Sequence, residues 1–216
     1  MDRTTTMKAA IFDMDGTLID SMNQWRQLNV DFVRSHGITP TKAQEEEMFS
    51  LTGRKAVDYY KETFGIEADF GDLLVKACAG MIAAYSAGMP LKPGAGAYLK
   101  RLRARGVRCV VCSASPSNLV LLALNRMNLV SDLDLIYSTE LIGGHKGDPA
   151  FYEQLLERIG EKPEDCVMFE DALYAMEGAR AAGLGVIGIT DDTNKVVRDQ
   201  MAKVCDRVVD CYDELA

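Results

Sequence analysis

Asp13-Met14-Asp15-Gly16-Thr17-Leu18, directly behind the apolar run Ala9-Ala10-Ile11-Phe12, is the stretch that decides how this chain reads. Apolar residues followed at once by charge describe a buried strand that emerges at a sheet edge. Two carboxylates two residues apart then lie near one spot, where each raises the other's pKa unless a cation or a shared proton intervenes. Gly16 lets the backbone turn away sharply, and Thr17 adds a hydroxyl at the same edge. An Asp-x-Asp-Gly run also opens calcium loops, but those close on a Glu at the twelfth position, where Gln24 stands. A strand-to-turn with two solvated aspartates is the plainer alternative.

The 216 residues can hold one substantial core, or a core with a modest accessory domain. A net charge of −8 argues against a nucleic-acid surface, which needs clustered Lys and Arg. No apolar stretch approaches membrane-spanning length and the N-terminus lacks a signal-peptide core, so a cytoplasmic protein with no membrane partner is expected. Six cysteines without a secretion signal read as buried free thiols. Cys109 and Cys112 match Cys-x-x-Cys, but they fall in a predicted strand, where positions three apart face opposite sides. His36 and His145 are the only histidines, too few for His-ligated zinc or a Ser-His-Asp triad.

Beyond the opening strand, residues 21–88 read as helices alone. Trp25, Leu28, Phe32 and Val33 recur at helical spacing, and His36-Gly37 marks a helix end. Further helices are predicted over 42–51, 56–64 and 72–85, separated by Gly53, Gly65 and Gly71. From Pro93 the rhythm changes. Strands are predicted over 107–112, 133–137, 166–169, 185–189 and 207–209, alternating with helices over 99–105, 118–127, 173–182 and 193–202. Asp148 caps another helix with Pro149 at its first position, and Gly160 ends it. This alternation predicts a Rossmann-like parallel sheet with helices on both faces. Residues 1–20 and 89–216 form that α/β core, with 21–88 inserted as an all-helical domain. Residues 1–6 read as a frayed tail.

Open parallel sheets bind ligands outside the C-terminal ends of their strands. The first strand delivers Asp13 and Asp15 there, the second Ser113, Ala114 and Ser115, and a later one Glu170 and Asp171. Lys146 lies in the loop Gly143-Gly144-His145-Lys146-Gly147, just ahead of the capped helix. Four carboxylates, one lysine and one or two hydroxyls are too negative to persist dry without a divalent cation. All-oxygen ligands suit Mg²⁺, which binds through a few carboxylates plus substrate phosphate. Lys146 and Ser113 would then hold the remaining phosphate oxygens. Taken singly, Ser113 could merely end a strand, Lys146 be a solvated loop lysine, and Glu170-Asp171 an acidic helix start. Gly183-Leu184-Gly185-Val186-Ile187-Gly188 matches a dinucleotide fingerprint but ends a helix and enters a strand, the reverse of what that motif requires.

These residues, in this order, resemble the haloacid dehalogenase-like hydrolase superfamily, in its branch of phosphatases and β-phosphoglucomutase-like enzymes with a helical cap. The first motif matches at Asp13 to Leu18, the second at Ser113, the third at Lys146. The fourth matches at Glu170-Asp171, with Gly178-Ala179-Arg180-Ala181-Ala182-Gly183 downstream. Gly147 stands where members often carry Pro. The resemblance implies Asp13 as nucleophile and Asp15 as general acid and base. Mg²⁺ would be held by the Asp13 and Asp171 carboxylates and the Asp15 carbonyl, with Glu170 supporting. Ser113, Ala114 and Lys146 would bind the phosphoryl group. An Asp at position 15 favours phosphate esters over haloacids. The helical insertion looks like the family's small cap, with Trp25, Thr52, Gly53, Arg54 and Lys55 as candidates for its substrate-facing surface, although Trp25 fits plain cap core equally well. The implied activity is Mg²⁺-dependent hydrolysis of a small phosphorylated metabolite.

Two alternatives compete. A mutase resembling β-phosphoglucomutase would place His where Trp25 stands and Arg where Ala56 stands, which favours hydrolysis here. A non-hydrolytic phospho-accepting protein, such as a signalling receiver domain, uses similar groups but is much shorter and lacks the insertion. Neither oligomeric state nor the physiological substrate is legible.

Overall fold

The computed structural model describes residues 3–51 and 54–215, except for the side chains of residues 49, 50 and 54. Six short runs pair into one sheet: β1 (Ala9–Phe12), β2 (Arg108–Ser113), β3 (Leu135–Ser138), β4 (Cys166–Glu170), β5 (Gly185–Ile189) and β6 (Arg207–Val209). Every pairing is parallel, in the order β3-β2-β1-β4-β5-β6. β1 therefore lies inside the sheet with β2 and β4 beside it, and all its residues are buried. That explains its unbroken apolar run, since a strand covered on both faces has no side to give to polar residues.

Alternation along the strands sorts the two faces. Ala9, Ile11, Val110, Cys112, Met168 and Val186 pack into one cluster with Phe151, Tyr152 and Leu155 of α8 (Pro149–Ile159) and Met176 and Ala179 of α9 (Leu173–Ala181). On the opposite face Phe12 stacks on Phe169 at 4.6 Å. Tyr98 of α5 (Ala95–Ala104) meets the Phe169 ring edge-on at 5.6 Å. The α/β architecture expected from the alternating pattern is present. All six cysteines are free, and burial pushes the Cys109 and Cys112 thiols up to about 12. Inert thiols on opposite faces make no redox pair.

The chain divides into two compact units, one comprising Met1–Asp20 with Gly88–Ala216, the other Ser21–Ala87. Gly88 thus falls with the α/β unit rather than the helical one. The outgoing and returning chains run side by side within the α/β unit. Asp20 N–H donates to the Pro90 carbonyl at 2.9 Å, Lys92 N–H to that of Leu18 at 2.9 Å, and Ile19 bridges Leu91.

The helical unit holds α1 (Met22–Arg34), α2 (Lys42–Ser50), α3 (Arg54–Phe64) and α4 (Phe70–Ala87). Val30, Val33, Met48, Tyr60 and Ile66 form its core, with Phe32 and Tyr60 rings 5.1 Å apart. Thr41 and Gln44 close a capping box at the start of α2. Gly71 does not separate helices as expected. Asp69 Oδ1 accepts the Gly71 and Asp72 N–H groups at 2.8 and 3.3 Å, so the helix already begins at Phe70. At 18 residues, α4 is also long and apolar enough by length and composition to cross a membrane, which corrects the reading that no stretch approaches that length. Only Met81 and Tyr85 of it are buried, and Leu74, Val75 and Ile82 are exposed.

Three local expectations fail in the α/β unit. Arg3–Thr5 form a 3₁₀ turn instead of fraying, because Arg3 donates to the Gly183 carbonyl and Arg105 to those of Thr4 and Thr5. The helix predicted over 193–202 starts as a 3₁₀ turn, Lys195–Val197, and becomes α10 only at Arg198–Val204. Asp191 accepts the Thr193 N–H at 2.7 Å and keeps the preceding residues in a turn. α6 (Ser117–Arg126) was expected, but the four-residue α7 (Thr139–Ile142) was not.

Candidate active site

β1 ends at Phe12, level in register with Val111 of β2 and Phe169 of β4. Asp13 continues the strand direction, its N–H donating to the Phe169 carbonyl at 2.9 Å. Gly16 then takes φ 75°, a left-handed conformation that other residues adopt only at a cost, and its N–H closes the turn onto the Ile19 carbonyl. This turn leaves Asp13 and Asp15 at the strand's C-terminal edge.

Lys146 ties the first and fourth motifs together. Its Nζ lies 2.6 Å from Asp13 Oδ1 and 2.6 Å from Glu170 Oε2, with all three side chains almost wholly buried. Glu170 Oε1 accepts the N–H groups of Asp171 and Ala172, both at 3.1 Å. Glu170 thus spans the lysine with one oxygen and the start of the next loop with the other. Asp13, Glu170 and Asp171 each offer a carboxylate oxygen within 4.8 Å of the others. The Asp171 carboxylate also takes a long hydrogen bond, 3.5 Å, from the Thr17 hydroxyl. The lysine is placed by close packing of its own backbone. A Cβ on Gly178 of α9 would meet the Lys146 carbonyl oxygen at 2.2 Å, so only glycine lets the loop lie that near the helix.

Burial is the largest influence on the acidic groups. It raises Asp13 to about 8, Glu170 and Asp15 push the same way, and Lys146 only partly opposes them. Burial, then Glu170 and Asp13, hold Asp171 well above the usual carboxylate range. For Lys146 burial acts against the charged form, but Asp13 and Glu170 outweigh it and keep the ammonium well above its ordinary value. With all three clustered carboxylates ionised, one ammonium would leave an excess of two negative charges, which is why the cation-free cluster retains protons instead. A divalent cation with oxygen preference fits that donor set.

Asp15 is placed differently. It is half-buried, and its Oδ2 accepts from Ser115 Oγ at 2.8 Å, while Ser115 N–H donates to Ser113 Oγ at 3.1 Å. Its carboxylate is therefore held by the β2 loop rather than by the lysine. Ser113 is buried and Ala114 is exposed. Of the residues proposed for the helical unit, Trp25 is half-buried and Lys55 is exposed. Thr52 and Gly53 lie outside the described residues, as does the side chain of Arg54.

The sequence reading overlooked the loop after β5. There Asn194 Nδ2 donates to the carbonyls of Asp171 at 3.0 Å and Ile189 at 3.1 Å. Asp191 is ion-paired with Lys92, itself nearly buried and 3.4 Å from Asp20. The signal was available: the strand-end rule that picked out Asp13 also picks out the residues after Ile189.

The profile of the haloacid dehalogenase-like hydrolases matches residues 7–183, spanning the whole set Asp13, Ser113, Lys146 and Asp171. The chain belongs to the haloacid dehalogenase-like hydrolase family. Among similar members of that family, the phosphorylated carbohydrates phosphatase of Thermotoga maritima is 24% identical over 189 residues, covering 87% of this chain and 88% of the relative. Hexitol phosphatase B of Escherichia coli is 28% identical over 176 residues, covering 81% and 79%. The crystal structure of CbbY from Rhodobacter sphaeroides in complex with phosphate superimposes with a TM-score of 0.81 at 21% identity, covering 97% of this chain and 96% of that one. That likeness is one of fold.

Proposed function

We propose that this hydrolase is a Mg²⁺-dependent phosphatase that cleaves a small phosphate monoester through a phospho-aspartyl intermediate on Asp13. The observation that carries the reading is the single buried cluster in which Lys146 touches Asp13 and Glu170 while Asp171 completes the carboxylate set. The Asp13 and Asp171 carboxylates would hold the ion with the Asp15 carbonyl, and Glu170 would support them by fixing Lys146. When bound, Mg²⁺ supplies the positive charge that lets Asp13 stay ionised beside a phosphate dianion.

Asp13 attacks phosphorus with one carboxylate oxygen as the bond to the leaving alkoxide breaks. Asp15 donates a proton to that alkoxide. The resulting carboxylate then takes a proton from water, whose oxygen attacks phosphorus and releases phosphate and free Asp13. Lys146 and the Ser113 hydroxyl hold the phosphoryl oxygens, with the Ala114 loop beside them. Positioning and charge neutralisation suffice for this transfer. Ser115 donates to Asp15 and orients its carboxylate for these proton exchanges.

The named relatives act on phosphorylated carbohydrates and hexitol phosphates. A sugar or sugar-alcohol phosphate, met in the cytoplasm, is the substrate class proposed here, with the helical unit serving as the cap and Trp25, Gly53 and Arg54 as its candidate contacts. The test is release of phosphate from p-nitrophenyl phosphate, then from hexose and hexitol phosphates, with and without Mg²⁺. Asp13→Asn should lower turnover by roughly a thousandfold or more while the protein stays folded. A wild-type rate in that variant, or no turnover of any monoester, sinks the proposal; isomerisation of a sugar phosphate without phosphate release would replace it with a mutase.

A further inference from the structure

The loop after β5 contributes no side chain to the acidic cluster, yet it grips the cluster from behind. Asn194 uses its whole amide group. One nitrogen donates to the carbonyls of Asp171 and Ile189, and the oxygen accepts the Asp191 N–H at 2.9 Å. Ile189 is the last residue of β5, and Asp171 follows the end of β4. The side chain therefore braces the ends of two neighbouring strands at the level of the site. The loop carrying it is pinned in turn. Asp191 accepts from Thr193 and pairs with Lys92, whose Nζ also approaches Asp20.

The point gripped matters because Asp171 has few other restraints. It sits in a bend between β4 and α9, outside any regular ladder. Its carboxylate receives one long bond from Thr17 and meets the Glu170 carboxyl beside it. With its N–H on Glu170 and its carbonyl on Asn194, both ends of its backbone are held, and the remaining freedom is the side-chain rotamer. Outer groups that orient a ligating carboxylate commonly change metal affinity ten- to a hundredfold when removed.

We propose that Asn194 is a positioning residue for the reaction: through the main-chain carbonyl of Asp171 it sets where that carboxylate stands in the cluster, and so how tightly the cluster holds a divalent cation. The inference rests on reading Asp13, Glu170 and Asp171 as the Mg²⁺ site. Asn194→Ala removes the grip and the turn together. Asn194→Asp keeps an acceptor for the Asp191 N–H but loses the donors to Asp171 and Ile189. Its added negative charge favours a cation, so any loss of affinity is the more telling.

Isothermal titration of Mg²⁺ into substrate-free protein, beside the melting temperature without Mg²⁺, separates the possibilities. Both variants should bind Mg²⁺ roughly tenfold more weakly, and kcat should recover at saturating Mg²⁺. Wild-type affinity in Asn194→Asp, whether or not it melts lower, means Asn194 only caps its loop and overturns the proposal; that variant also carries the test if Asn194→Ala fails to fold. Asp171→Asn serves as the control. If it abolishes Mg²⁺ binding while the Asn194 variants bind normally, only the positioning role falls. If the wild type binds no Mg²⁺, the site reading itself falls and this inference with it.

Discussion

In the α/β unit Asp13, Lys146, Glu170 and Asp171 are all less than a tenth exposed, and Lys92 joins them as a further buried charge. In the helical unit no described charged side chain is buried; its core is Val30, Val33, Met48, Tyr60 and Ile66. The contrast separates two uses of a protein interior. Apolar burial stabilises at little risk, because no group loses hydration it needs. Buried charge is destabilising unless paired, and even then often adds nothing to stability. Five such groups lie in one unit, four of them in a single cluster, an arrangement that the proposed phosphatase site accounts for and stability alone does not. The helical unit folds by ordinary packing and keeps its described charged side chains out of the core.

The largest effect expected from breaking that contrast comes from Lys146→Met. It strands Asp13 and Glu170 without their shared cation, at a cost of about 3–5 kcal/mol measured by urea unfolding, and phosphatase activity should vanish. Added Mg²⁺ should restore part of the stability. An unchanged unfolding midpoint would mean the cluster is not the electrostatic unit described.

Gly178→Ala acts on the same lysine without touching a charge. The new methyl would collide with the Lys146 carbonyl, and the obstacle is the Lys146–Gly147 backbone rather than a side chain that could swing away. A loss of about 1–3 kcal/mol from overpacking should accompany a drop in kcat/KM of roughly ten- to a hundredfold from misplacement. Full activity would show that the loop tolerates displacement.

A pH titration of the Mg²⁺-free protein sharpens the comparison further. Asp13 has an ordinary value of 3.8 and is raised to about 8 in the fold; Asp171 moves in the same direction. Between those values the folded state holds a proton the unfolded chain has released. Stability is therefore fully present below pH 3.8 and is lost as pH rises toward 8. Lys146, raised above its ordinary value, contributes a loss only at still higher pH. The melting temperature should fall across that window, and Mg²⁺ or Asp13→Asn should flatten the slope. A slope unchanged by either would contradict the assignment.

The smallest effect lies in the helical unit. Tyr60→Phe removes the hydrogen bond from Tyr60 to Asn29, 3.1 Å, and should cost about 1 kcal/mol. Phosphatase kcat/KM should stay within twofold. A larger kinetic change would show that this core is coupled to catalysis.

Legibility followed the same division. Asp13, Ser113, Lys146, Glu170 and Asp171 stood out because each follows an apolar run or precedes a capped helix, and parallel sheets bring such positions to one edge. The helical unit offered periodicity, which placed α1 to α4, but no comparable rule for which of its polar residues matter. Gly71 misled because glycine usually interrupts a helix, whereas here Asp69 caps the first turn around it. The length of α4 was missed for the related reason that Gly71 seemed to shorten it. The strand-end rule reaches the loop after Ile189 but does not single out Asn194 within it, because its role is carried by an amide reaching main-chain carbonyls, which leaves no spacing in a sequence.

The sequence determined the parallel α/β sheet, the helical insertion and the identities of the groups at the strand ends, since burial on both faces forces continuous apolar runs and charge can follow only where they stop. Tertiary structure alone decided which carboxylates share Lys146, that Asp15 is held by Ser115 instead, and that Asn194 braces Asp171. Those choices depend on ångström distances between residues far apart in the chain. Hydropathy and periodicity carry no information about such distances.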